Sequence, residues 1–176
     1  MRYIPTELAG AYIIEMEPKT DRRGFFARGF DQKEFEEHGL KGAFVQANIS
    51  WNAAKATLRG MHYQLAPHAE VKVIRCTRGS IYDVIIDLRS DSPTFCKWIG
   101  VELTAQNYRT LYVPEGFAHG YQTLEPDTET FYLVTEFYAP THERGVRWND
   151  PAFGIQWALP NPILSERDQN HPWFQR

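Results

Sequence analysis

His62 and His119 stand in two short segments, Leu58-Arg59-Gly60-Met61-His62-Tyr63-Gln64 and Pro114-Glu115-Gly116-Phe117-Ala118-His119-Gly120, which join an imidazole to glycine-punctuated, strand-like sequence. An imidazole is the side chain whose ordinary pKa best suits taking up a proton near neutrality. Lys72 and Tyr132 lie in two further strand-like runs that could reach the same cavity, adding an ammonium and a phenol. The set points to proton-transfer chemistry inside a small β-barrel. Side chains two residues apart on a strand share a face, which is a geometric test of that idea. In Val71 to Thr77 it places Lys72 beside Ile74 and Cys76, where an ammonium needs an anionic counterpart unless the face is solvated. In Phe44 to Ile49 it groups Gln46 with Asn48. In Thr128 to Tyr138 it sets Tyr132, Val134, Glu136 and Tyr138 on a face expected to line a cavity, with Phe131, Leu133 and Phe137 on the face expected to form the core. Strict alternation turns Arg59 away from His62 unless Gly60 hosts a bulge. Taken alone, His62 fits a satisfied structural histidine as well, and any one arginine a surface charge.

These residues need a strand-rich scaffold, and the sequence supplies one. Strands are expected at Phe44 to Ile49, Val71 to Thr77, Ser80 to Leu88, Lys97 to Leu103, Arg109 to Val113, Gly120 to Leu124 and Thr128 to Tyr138. They are separated by turns such as Ser90-Asp91-Ser92-Pro93. Many short strands at regular spacing make an all-β sandwich or barrel. Arg78-Gly79 is expected to close a hairpin between Val71 to Thr77 and Ser80 to Leu88. Asp31-Gln32-Lys33-Glu34, with Phe35 and the stop at Gly39, predicts one helix over Gln32 to His38. The tail from Pro140 to Arg176 is expected to wrap the barrel as loop and short helix.

A chain of 176 residues with 43% hydrophobic and 14% aromatic content suits one domain over 1–176. A formal net charge of -3 with both signs interspersed argues against a nucleic-acid partner. Cys76 and Cys96 lack the close pairing of a zinc or redox motif and read as reduced, buried thiols. The opening Met1-Arg2-Tyr3-Ile4-Pro5 lacks the apolar run of a signal peptide, and no stretch is long enough to span a bilayer. A cytoplasmic protein without membrane partners is expected.

Pro114-x-Gly116-x-x-His119 resembles the second conserved motif of the cupin superfamily of jelly-roll barrels. Metal-binding cupins supply two further histidines in H-x-H spacing, whereas here the order is His62-Tyr63-Gln64, so no metal is expected. More specifically, nearly the whole chain resembles the dTDP-4-dehydrorhamnose 3,5-epimerase family. The landmarks are Asp21-Arg22-Arg23-Gly24-Phe25-Phe26, Phe44-Val45-Gln46, the His62 and His119 segments and Asp83-Val84-Ile85-Ile86-Asp87-Leu88-Arg89. They continue through Ser92-Pro93-Thr94, Tyr138-Ala139-Pro140, Glu143-Arg144-Gly145-Val146-Arg147-Trp148 and Ser165-Glu166-Arg167-Asp168.

The resemblance implies a cupin-type jelly-roll barrel with short peripheral helices that epimerises a nucleotide-linked 4-keto-6-deoxyhexose without a cofactor. By that resemblance His62 is the general base, Asp168 the carboxylate that orients it, Tyr132 the general acid on the opposite face of the ring, and Lys72 the cation beside the C4 oxygen. Arg23, Gln46, Asn48, Arg59, His119, Glu143 and Arg167 match positions that contact the nucleotide-sugar, and Tyr138 the aromatic that stacks on the base. Arg28 stands where the best-known members carry a glutamate, Ala47 and Ile49 flank Asn48 in place of Asp and His, and Arg167 replaces a commoner Lys. Nucleotide base, and epimerisation of one carbon or two, stay open at this stage. So does a non-catalytic nucleotide-sugar-binding cupin; a metal-dependent oxygenase is disfavoured by Gln64. The family further implies a homodimer with exchanged N-terminal strands, for which the extended segment Tyr3 to Ile14 is suited.

Overall fold

Ile81, Val84, Ile85 and Ile86 are all completely buried, so the run that holds them has no solvent face and must sit between two covering layers. The computed structural model, which describes residues 1–175, shows what those layers are. In chain order the elements are β1 (Arg2–Pro5), β2 (Tyr12–Glu15), β3 (Lys19–Asp21), β4 (Gly24–Phe26), α1 (Gln32–Glu37), β5 (Gln46–Asn52), β6 (Leu58–Gln64) and β7 (Lys72–Arg78). They continue with β8 (Ser80–Asp87), β9 (Trp98–Thr104), β10 (Thr110–Val113), β11 (Phe117–Thr123), β12 (Thr128–Val134), β13 (Glu143–Gly145) and α2 (Glu166–Gln169). One sheet runs β1-β2-β10-β7-β12-β5 and the second β13-β6-β11-β8-β9, with all of these pairs antiparallel. Among the described residues, β3 and β4 pair only with each other.

Between the sheets pack Ile74, Cys76, Leu111 and Val113 from the first and Ile81, Ile85, Leu103, Phe117 and Tyr121 from the second. The outer face of the first sheet, with Ile14, Val73 and Tyr112, is closed by Phe35 of α1 and by Leu40. The outer face of the second, with Met61, Val84 and Ile86, is closed by Val146, Phe153, Ile155, Trp157 and Phe174 of the closing segment. The chain thus forms the all-β, cupin-type jelly-roll barrel with short peripheral helices that its sequence resembles.

Several local expectations are corrected. Arg78-Gly79 closes no hairpin: β7 pairs with β10 and β12, β8 with β9 and β11, and the turn carries the chain from one sheet to the other. Tyr132 and Val134 line a cavity as expected and Leu133 packs against a hydrophobic core cluster, but that cluster is the one under α1 on the outer side of the sheet, and Phe137 is 61% exposed instead of joining it. The strand holding Tyr132 ends at Val134, so Tyr138 lies beyond it, and the helix ends at Glu37 with His38 as its cap. Asp31 caps that helix as expected, its carboxylate accepting from the Lys33 and Glu34 amides. Tyr3 to Ile14 lies in this chain's own sheet, with β2 on β10. The closing segment adds a strand, β13, to the expected loop and short helix. No helix among the described residues is long and apolar enough to cross a membrane.

The core also holds charge. Asp87 is fully buried, and burial alone would push its carboxyl upward, but hydrogen bonds from Arg89, Ser92 and Thr94 outweigh it and hold the group at about 2. A depressed folded-state value stabilises the fold above the unfolded carboxylate range, and that share is lost as pH falls from about 4 through 2. Thermal melts between pH 5 and pH 2 are expected to show a steeper loss for the wild type than for Asp87→Asn, the difference being about 2 kcal/mol. The variant is the less stable of the two at neutral pH, because its amide cannot accept all the donors aimed at it.

Candidate active site

Arg59, Gly60, Met61 and His62 lie on β6, and its pairing with β11 slips by one residue: Arg59 is opposite Tyr121, whereas His62 is opposite His119. That bulge aims Arg59 and His62 into the same space, the exception to alternation that Gly60 allowed. Gly60 sits at φ +130°, and a Cβ there would stand 2.5 Å from the Gly120 Cα, so only glycine fits.

The first sheet supplies the opposite wall. Ser50 of β5, Lys72 of β7 and Tyr132 of β12 line a cavity of about 200 Å3 with Arg59, His62, His119, Tyr121 and Asp168. A second cavity of about 190 Å3 shares His62, Lys72 and Tyr132 and adds Gln46, Asn48, Glu70, Tyr138 and Glu143, so the two are halves of one cleft. A larger cavity of about 650 Å3 opens elsewhere, but its charged groups are already matched: Lys41 with Glu115 at 2.6 Å, and Arg89 with Asp87 at 2.7 Å. Its one histidine, His38, has Nδ1 held by the Glu34 carbonyl at 2.7 Å.

Within the cleft His62 Nε2 and Asp168 Oδ1 are 2.7 Å apart. Asp168 is placed by α2, whose cap Ser165 accepts from the Asp168 amide at 3.1 Å. Burial raises the Asp168 carboxyl, but the His62 contact, with help from Ser165 and the Gly60 amide, brings it below the ordinary carboxylate value. Asp168 therefore remains an anion able to hold an imidazole and stabilise its charged form. The Tyr132 phenol is raised chiefly by burial, so it keeps its proton at neutral pH and has one to give. Lys72 is 9% exposed, and its ammonium lies 3.1 Å from Glu70 Oε1 and 3.5 Å from the His62 carbonyl.

The surrounding polar groups are themselves anchored. His119 Nε2 is 2.6 Å from Asp83 Oδ1, the Arg59 Nε donates to Asn52 Oδ1 at 2.7 Å, and the Tyr121 hydroxyl donates to Ser50 Oγ at 2.9 Å. Glu143 pairs with Arg167 at 2.6 Å and accepts from the Tyr138 hydroxyl at 2.5 Å, while Gln46 Oε1 accepts from the Tyr138 amide at 2.9 Å. Burial raises Glu143, and the contacts from Arg167 and Tyr138 reverse the shift.

The cleft and its rim therefore gather His62, Asp168, Lys72, Tyr132, Gln46, Asn48, Arg59, His119, Tyr138, Glu143 and Arg167. Arg23 and Arg28 are not brought to it by this chain. Arg23 lies on the β3–β4 hairpin, its side chain 85% exposed and paired with Asp21, and Arg28 faces Asp31 at 3.8 Å. Sequence reasoning missed Glu70, although it precedes Lys72 by two residues and alternation alone would put both on one side. It also missed Asn52 and Ser50, which continue the spacing of Gln46 and Asn48 along β5.

The chain is similar to known proteins along nearly its whole length. The sequence profile of the family described as dTDP-4-dehydrorhamnose 3,5-epimerase matches residues 5–176. A dTDP-4-dehydrorhamnose 3,5-epimerase of Shigella flexneri is 47% identical, over 99% of this chain and 96% of its own. The crystal structure of the Bacillus anthracis enzyme of that name, with TDP and pyrophosphate bound, superposes with a TM-score of 0.95 at 44% identity, covering 98% of this chain and 99% of that one. The Legionella pneumophila enzyme, in complex with dTDP-4-keto-L-rhamnose, gives a TM-score of 0.90 at 34% identity, covering 99% of each chain.

Proposed function

The chain belongs to the dTDP-4-dehydrorhamnose 3,5-epimerase family, and on that premise we propose how its cleft acts on a dTDP-linked 4-keto-6-deoxyhexose. It is a sugar-nucleotide 3,5-epimerase, an isomerase that inverts the carbons on either side of the C4 ketone. One observation carries the assignment of roles: an imidazole held by a carboxylate and a protonated phenol stand on opposite sheets, with an ammonium in the same cavity.

A C–H bond beside a ketone is weakly acidic, and breaking it places negative charge on the ketone oxygen. The free ring nitrogen of His62, the one not bonded to Asp168, takes the proton, and Asp168 stabilises the imidazolium so formed. Lys72 faces the C4 oxygen and holds the enolate. Tyr132 then delivers its proton to the opposite face of the carbon. Two groups are required, because a base that returned the proton where it found it would restore the starting configuration. The electron pair stays on the sugar throughout, so the scheme balances without a redox partner. Arg59, Arg167 and His119 suit the diphosphate, which planar guanidinium groups bind through paired, charge-assisted hydrogen bonds. Tyr138, Gln46, Asn48 and Glu143 suit the base and sugar.

The same proposal extends to a homodimer. A free two-stranded hairpin is marginal in water, yet every residue of β3 and β4 is exposed, with Phe25 at 45% and Phe26 at 67%. β5 is an open sheet edge that carries Ile49 at 69% and Trp51 at 53% exposure beside Gln46 and Asn48. Laying the hairpin on a partner's β5 edge would cover both surfaces and bring Arg23 to the partner's cleft.

The proposal is tested by incubating the protein with dTDP-4-keto-6-deoxyglucose in heavy water and locating the label by NMR. Deuterium is expected at both C3 and C5. Label at one carbon only would mark a mono-epimerase, and label at neither would leave a binding protein.

A further inference from the structure

His171 has no part in the proposed proton transfers, yet it reaches the pair at their centre. It is 8% exposed, and its Nε2 lies 3.4 Å from Asp168 Oδ1 without the alignment of a hydrogen bond, which leaves that buried nitrogen without a hydrogen-bond partner. The ring meets that of His62 edge to face, at 75° with centroids 5.3 Å apart. It is also firmly seated. A Cβ at Gly145 would fall 2.4 Å from the His171 Cε1 and Nδ1, so glycine alone leaves room for the ring, and Gly145 is the residue of β13 directly opposite His62.

Two nitrogens and one oxygen thus converge from His62, His171 and Asp168, their donor atoms all within 4.8 Å of one another. Zinc takes imidazole nitrogen and carboxylate oxygen at about 2.0–2.2 Å, which sets two ligands of a tetrahedral ion about 3.4 Å apart. The His171–Asp168 separation of 3.4 Å already has that value. The His62–Asp168 separation must open from 2.7 Å, exchanging a hydrogen bond for two metal bonds. The His62 side chain is 31% exposed on the cleft, which gives an ion a route in and leaves its fourth position to water.

We propose that His62, Asp168 and His171 form an inhibitory site for a divalent zinc ion, which replaces the proton between His62 and Asp168 and withdraws the imidazole from proton transfer. The displaced proton passes to solvent, and no other bond changes. The inhibitory effect rests on the proposed role of His62 as base, whereas the site itself does not, because metal binding is measured without any sugar present.

The experiment titrates cobalt(II) into chelator-stripped protein. One equivalent is expected to develop the intense visible absorption of a four-coordinate ion, and zinc is expected to displace it. His171→Phe keeps a planar aromatic side chain, slightly larger than the imidazole, removes both ring nitrogens, and is expected to lose that absorption and to weaken zinc binding by calorimetry at least about tenfold. In chelator its turnover stays within about twofold of wild type, and added zinc no longer inhibits it. Equal metal binding by wild type and variant would overturn the site and move the metal elsewhere, for example to the surface pair His68 and His142, whose ring centroids are 4.5 Å apart. Absence of binding by the wild type would overturn it as well. Should His171→Phe fail to fold, His171→Asn is measured against the same two outcomes.

Discussion

Lys72→Met is expected to lower kcat on the dTDP-linked keto sugar by on the order of a hundred- to thousandfold, with KM changed far less. The ammonium meets a full negative charge only as the enolate forms, so its loss raises the transition state more than the bound ground state. There is a second effect to separate. Lys72 and Glu70 are paired at 3.1 Å with side chains 11% and 12% exposed, and removing one partner of a buried pair costs about 3 kcal/mol or more. Lys72→Met alone is therefore expected to be both slow and less stable. In Lys72→Met/Glu70→Gln the orphaned carboxylate is gone, so the melting temperature is expected to recover while kcat stays low. A double variant that regained turnover with its stability would show that Lys72 serves only the fold.

That two-part behaviour bears on how much of this protein could be read before folding. Lys72 was conspicuous because alternation set an ammonium among Ile74 and Cys76; the structure answers the oddity with Glu70 on one side and the cleft on the other. The helix cap at Asp31 was legible because it depends on residues three apart, and the Ser165 cap behind Asp168 has the same spacing, but sequence reasoning missed it. What local sequence did not contain is which strand lies beside which. Arg78-Gly79 has the chemistry of a tight hairpin and of a corner between sheets alike, and the choice is made by β10, β11 and β12, far along the chain. The Leu133 face does meet a core, but which core was hidden for a related reason. Both faces of β12 carry apolar groups, and the one under α1 could not be told from the one between the sheets without knowing where Phe35 packs. The placement of Arg23 exposes a different limit. The β3–β4 hairpin touches little of its own chain, so a role for that arginine depends on contacts that one chain does not make.

His62→Ala is expected to abolish measurable turnover, a loss of up to about ten-thousandfold, in a protein that still folds, with a melting temperature lowered because the buried Asp168 carboxylate loses its partner. The strand itself does not depend on the ring, because it is held by backbone pairing to β11 and β13, and the Asp168 amide keeps its hydrogen bond to the Ser165 cap. The decisive readout is exchange rather than product. Without the base no proton leaves the carbon, so incubation in heavy water should label neither C3 nor C5. Tyr132→Phe supplies the contrast: its base is intact, so protons should still leave and deuterium should still enter, but from the His62 side, giving labelled sugar of unchanged configuration. If His62→Ala kept exchanging, or if Tyr132→Phe kept inverting, the two side chains would not be acting from opposite faces of the ring. Loss of both label and inversion in His62→Ala, with loss of inversion alone in Tyr132→Phe, is the pattern that one base and one acid on facing sheets must give.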